Sequence, residues 1–158
     1  MKLPQTKSLG MHLPRMNPAT VLVDPTFVEA LVDPTSSRHE AASAMYRRLV
    51  EQYRSERVLL VATAPSLHLV PRETRRSLLA PVTAVHVAQR YRWAARRITA
   101  MDTTDVEFTT LLVLLRREKI HRIATFDPRF AATDVDVEQV PTTAATSGDG
   151  GDDQSNAA

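Results

Sequence analysis

The sequence predicts an α/β domain with a central, mostly parallel sheet flanked by helices in three layers. Three observations carry this. Short β-branched or aliphatic runs alternate with segments whose apolar residues recur at helical spacing. The runs ValLeuValAspPro at 21–25 and IleAlaThrPheAsp at 123–127 each end in an aspartate. Side by side in a parallel sheet, they put Asp24 and Asp127 together at its carboxyl edge, where open α/β sheets place their sites. The 158 residues are 43% hydrophobic, enough to bury one independent core.

The first strand covers about 20–24. A helix from about 26 to 32 follows, with Phe27, Ala30 and Leu31 on one face. AspProThrSerSer at 33–37 has turn chemistry. His39 to Arg54 forms an amphipathic helix whose inner stripe is Ala42, Met45, Tyr46 and Leu49. ValLeuLeuValAla at 58–62 reads as a buried strand. Segment 65–80 is helical but holds Pro71, which removes a backbone donor and kinks or interrupts it. Residues 84–98 are expected as an Arg-rich helix anchored by Val85, Val87, Trp93 and Ile98. Thr104 to Glu118 is a further helix, and its apolar run Leu111–Leu115 suits a central, buried position. A strand at 122–126, a short turn or helix through Phe130 and a last strand at about 135–140 complete the domain.

Residues 1–19 contain Pro4, Pro14 and Pro18 with little periodicity, and are expected as an extension outside the fold; Met16 is a candidate start. The domain then spans 20–140. Residues 141–158, rich in Thr, Ser, Gly, Asp and Ala, have the composition of a disordered tail.

Composition removes several function classes. With no cysteine there is no disulfide, thiolate metal site or cysteine nucleophile, which fits a reducing, cytoplasmic setting. No apolar run is long enough to span a membrane, and segment 1–19 lacks the core of a signal peptide. Three of the four glycines, Gly148, Gly150 and Gly151, lie in the tail, so phosphate-cradling glycine loops are disfavoured. His12, His39, His68, His86 and His121 show no zinc spacing.

Charge is unevenly spread. The net charge is +2, and only Lys2, Lys7 and Lys119 among the 20 bases are lysine. Arg72, Arg75, Arg76, Arg90, Arg92, Arg96 and Arg97 face Glu73 as the sole acid in 72–97. Arginine suits bidentate phosphate contacts, so either a phosphate-rich partner or a solvated helix surface fits this segment.

Over about residues 20–140 the chain resembles PIN-domain proteins, in particular the VapC-type toxins of bacterial toxin–antitoxin pairs. The resemblance rests on ValLeuValAspPro, PheValGluAlaLeuValAspPro, ArgHisGluAlaAla, LeuLeuValLeuLeuArgArgGluLysIle and ArgIleAlaThrPheAspProArgPhe. It implies a PIN-like three-layer fold and cleavage of single-stranded RNA regions by a water activated on Mg²⁺ or Mn²⁺, which three or four acids hold. Such ions polarise a scissile phosphate and lower the pKa of bound water. The implied partners are RNA, a cognate antitoxin and a second copy in a homodimer.

By this resemblance Asp24 takes the first acidic position and Asp127 the last, with Thr125 as a supporting hydroxyl. Asp24 also fits a helix N-cap and Asp127 a turn initiator. The second acidic position falls on His68 or Leu69, and the third on Phe108. Asp105 and Glu107 are the local substitutes as metal ligands, and Glu73 becomes one if Pro71 permits a continuous helix. With two of four acids missing, the expectation is an endoribonuclease with weak or absent activity. The alternative is an inactive PIN-fold protein that binds RNA or an antitoxin. A third class, a regulatory module phosphorylated on Asp24, lacks the accompanying acidic pair and strand-end lysine.

Overall fold

The computed structural model describes residues 17–99 and 105–138. The expectations for segments 1–16 and 141–158, and for the final strand beyond Glu138, lie outside the described residues. Five parallel strands form one sheet in the order β3-β2-β1-β4-β5. They are β1 (Ala19–Val23), β2 (Val58–Thr63), β3 (Val82–Val85), β4 (Arg122–Ala124) and β5 (Asp136–Val137).

The helices are α1 (Pro25–Val32), α2 (His39–Arg54), α3 (Ala64–His68), α4 (Arg72–Ser77), α5 (Gln89–Thr99) and α6 (Val106–Arg117). A 3-10 turn covers Pro128–Ala132. Val21, Leu22 and Val23 are wholly buried, as expected for a central strand covered on both faces. Their side chains alternate between two cores. Val21 and Val23 join Phe27, Leu31, Met45 and Leu49 beneath α1 and α2. Leu22 joins Tyr91, Phe108, Leu114, Leu115 and Ile123 beneath α5 and α6. The three expected layers follow from this alternation.

The chain ends two helices without glycine. After α2, the Arg57 amide bonds to the Gln52 carbonyl at 2.9 Å and Glu56 takes φ 56°. After α6, Ile120 bonds to Leu115 at 2.8 Å and Lys119 takes φ 55°. Each is a Schellman closure with a non-glycine residue in the left-handed region. Both return the chain directly to a strand.

Pro71 interrupts the helix as expected. α3 stops at His68, and α4 starts anew after an extended Pro71. The Arg-rich helix is shorter than expected: Val82–Val85 is an edge strand, and α5 begins at Gln89. Its anchors also differ. Tyr91 and Ala95, four residues apart, are the buried pair, whereas Trp93 and Ile98 are exposed. The buried stripe packs against α6 and the sheet core, and the Tyr91 hydroxyl donates to Glu118 at the end of α6.

Strand order places the switch point between β1 and β4, from which successive strands run outward in opposite directions. Val23 is in register with Ala124. The next residue on each strand therefore enters the same crevice, and these are Asp24 and Thr125.

Candidate functional site

The crevice is built on hydroxyls. Asp24 follows the end of β1 and caps α1, its Oδ1 accepting the Phe27 amide at 2.9 Å and the Thr26 hydroxyl at 2.8 Å. Its Oδ2 accepts the Thr125 hydroxyl at 2.7 Å. The Asp24 amide donates to the Ala124 carbonyl at 3.1 Å, which locks the two strand ends together. Thr125 also accepts the Asp127 amide at 2.9 Å, and Thr26 accepts the Phe126 amide at 3.1 Å. Asp24, Thr26, Thr125 and Asp127 thus form one network across the switch point. Asp24 is both helix cap and partner of Thr125; the two roles use different oxygens.

The two acids are held differently. Asp24 is 2% exposed. Burial pushes its carboxyl above the usual range, against the pull of Thr125, the Phe27 amide and Thr26, with the Asp127 charge adding to the rise. Asp127 is held below the usual range, chiefly by Arg129. Arg129 Nε lies 3.0 and 3.1 Å from the two Asp127 carboxylate oxygens, and Nη2 lies 2.6 Å from Oδ2. The Arg129 amide adds a bond to Oδ1 at 3.0 Å. This is a bidentate fork, the strong form of a charge-assisted hydrogen bond.

Arg129 also reaches the next acid. Its Nη1 lies 3.5 Å from Asp105 Oδ2, so one guanidinium ties Asp127 to Asp105. The other Asp105 oxygen accepts the Glu107 amide at 2.9 Å and caps α6. Phe108 lies beneath: the guanidinium carbon is 4.4 Å from its ring centroid, and the ring packs edge-on against Phe130 at 4.8 Å. Phe108, where the resemblance implies an acid, instead supplies a cation–π floor. On the other flank, Arg38 covers the Phe126 ring at 5.4 Å, and Phe126 stacks on Phe27 at 5.7 Å.

The expected ligands therefore divide. Asp24, Thr125 and Asp127 come together, and Asp105 joins them only through Arg129. Glu107 is exposed, and among the described residues no hydrogen bond or ion pair joins its carboxylate to the network. Glu73 and His68 are exposed on separate helices, beside an 88% exposed Leu69. His39 bonds the Ala30 carbonyl through Nδ1 at 3.1 Å, a structural contact. Sequence reasoning missed Thr26, Arg38 and Arg129. A Thr two residues after a capping Asp was a readable signal for Thr26; nothing local signals the two arginines.

The donor set was tested for a divalent cation. Mg²⁺ is often held by one or two carboxylates with waters and substrate oxygens, but no group of three or more His, Asp or Glu converges among the described residues. Both Asp127 oxygens are engaged by Arg129. In this arrangement the residues do not fit the ion, because a resident guanidinium already occupies Asp127 and reaches Asp105.

No protein-family model matches the chain, and no curated protein matches it. Among solved structures, it is similar to VapC20 of Mycobacterium tuberculosis, described as a toxin that cleaves the sarcin–ricin loop. The TM-score is 0.50 at 18% identity, over 71% of this chain and 93% of that one. At this identity the likeness speaks for the fold alone. With the all-parallel five-stranded sheet between two helical layers, it shows that this chain has a PIN-like α/β fold.

Proposed function

We propose that this protein is a VapC-like PIN-fold protein that binds single-stranded RNA at the carboxyl edge of its sheet, with weak or absent metal-dependent cleavage. The observation that carries this reading is Arg129, which forks onto Asp127 and reaches Asp105. A charged guanidinium offsets the negative edge, as does Arg38 over Phe126, so a phosphate approaches without facing bare carboxylates. The same arrangement removes ligands from a cation. Misplacing a catalytic group by about 1 Å costs on the order of a hundredfold in rate.

A second reading is favoured by the retained Asp24–Thr125–Asp127 network. In it the protein is an active endoribonuclease, and Asp24 and Asp127 would hold Mg²⁺ or Mn²⁺ once Arg129 releases Asp127. Under either reading the proposed partners are RNA, an antitoxin and a second copy of the chain, in a cytoplasmic setting. Among the described residues no helix is long and apolar enough to cross a membrane.

The test is cleavage and gel-shift binding of a structured RNA pool by purified protein, in Mg²⁺ and in Mn²⁺, beside Asp24→Asn and Asp127→Asn. Binding with little or no metal-dependent cleavage supports the proposal. Robust cleavage abolished by EDTA and by either substitution establishes the second reading. Neither binding nor cleavage retires both.

A further inference from the structure

α5 carries a feature that the acidic crevice does not use. At about 100° per residue, the arginines and the tryptophan of its solvent arc run in the order Arg92, Arg96, Trp93, Arg97, Arg90. All five are exposed, and Trp93 stands at the middle of the arc with 64% of its surface open to solvent. An indole so placed is costly, because tryptophan is among the most heavily buried side chains on average. Arg90 is steered by Tyr91, whose ring it covers at 5.1 Å. Arg92, Arg96 and Arg97 have no ion pair among the described residues. No acid occurs between Glu73 and Asp102.

Several of these choices work against the helix. Arg90 and Arg92 lie in its first turn, where positive charge opposes the macrodipole, and that turn holds no acid. Arg92 and Arg96 are four residues apart and repel one another. An anionic ligand relieves both costs. A second copy of the chain docked through this face would set arginine against arginine, and an apolar partner surface would bury unpaired guanidinium groups. An aromatic plane flanked on both sides by guanidinium groups instead matches a single nucleic-acid strand, which offers bases to stack and phosphates to pair.

We infer that α5 is an RNA-docking helix: Trp93 stacks on an unpaired base while Arg92, Arg96 and Arg97 contact the flanking phosphates. This rests on the RNA reading above and adds to it a surface apart from the acidic network. Stacking on an aromatic is sequence-tolerant, so this surface supplies affinity and leaves base selection to other contacts.

Trp93 is the only tryptophan in the chain, so its fluorescence reports the contact directly. The full-length protein is titrated with a short, mixed-sequence, single-stranded oligoribonucleotide carrying a 3′ fluorophore, reading both anisotropy and tryptophan emission. Quenching should follow the anisotropy isotherm. Trp93→Ala should weaken binding about five- to a hundredfold, and Trp93→Phe should restore most of it. Arg92→Ala/Arg96→Ala should flatten the salt dependence by about 0.7 in log–log slope per lost phosphate contact. If wild-type protein binds the RNA but emission and affinity ignore Trp93, the docking helix is overturned and the RNA reading survives. If wild-type protein binds no RNA, both fall. If wild-type protein sediments as a dimer that Trp93→Ala converts to monomer, this face is an interface between copies and the inference is overturned.

Discussion

Asp24 and Asp127 sit at the ends of adjoining connections, share Thr125, and are held in opposite ways. Asp24 is buried and satisfied by neutral donors, two hydroxyls and an amide, so its charge is solvated but not cancelled. Asp127 lies nearer the surface and is satisfied by a guanidinium, so its charge is cancelled locally. Their carboxyl groups shift in opposite directions for that reason. The contrast separates two jobs that an acid can do at a sheet edge. Asp24 holds the fold together at the switch point, and Asp127 with Asp105 holds a cation that the chain itself provides.

The largest effect should fall on Asp24. Asp24→Ala removes the α1 cap and leaves the buried Thr125 hydroxyl and the Thr26 hydroxyl without their acceptor, a loss of about 2–4 kcal/mol. Asp127→Ala breaks a pair whose arginine is 46% exposed, and after allowance for solvent screening it should cost about 1 kcal/mol or less. Urea unfolding of both variants measures the difference. Equal losses would break the comparison.

Next comes pH dependence, which has opposite signs at the two acids. Because the folded state raises the Asp24 pKa, its favourable contribution is complete below the ordinary 3.8 and is lost as pH rises through the raised value. Asp24→Asn should therefore compare better with wild type at neutral pH than in acid. The Asp127 contribution is present above 3.8 and is lost as pH falls through the lowered value. Carboxyl-carbon NMR titration should place Asp127 below Asp24, and Arg129→Ala should move Asp127 upward while leaving Asp24 nearly in place.

At the shared hydroxyl the expected effect lies between those at the two acids. Thr125→Val keeps the shape but removes the donor to Asp24 and the acceptor for the Asp127 amide, costing about 1–2 kcal/mol. It should also raise the Asp24 pKa further, because the largest of the lowering contacts is lost. A fall in that pKa would mean that Thr125 is not the donor.

Much of this site was legible in the sequence because it depends on strand ends. A β-branched run ending in Asp places that Asp at the carboxyl edge whatever packs around it, and register then brings Thr125 beside Asp24. Pro71 was legible for the same local reason. The edge strand Val82–Val85 was not: it is four residues long, Thr83 and Ala84 are exposed, and it borders an arginine-rich segment of helical composition. Apolar residues usually face inward, which points to Trp93 and Ile98 as anchors, yet Tyr91 and Ala95 fill that stripe. Arg129 was hidden in a different way. Its meaning depends on Asp105 and Phe108, brought to it by α6, and no local spacing encodes that meeting.

Under the proposed function, Arg129 stands in place of a divalent cation. Mn²⁺ binding to wild-type protein, Arg129→Ala and Arg129→Ala/Asp24→Asn, followed by calorimetry or electron paramagnetic resonance, tests it most directly. Freed carboxylates should give Arg129→Ala about tenfold or more tighter Mn²⁺ binding than wild type, and loss of the Asp24 charge should reverse the gain. Tight Mn²⁺ binding by wild-type protein, unchanged by Arg129→Ala, would contradict the claim and return Asp24 and Asp127 to a working metal centre.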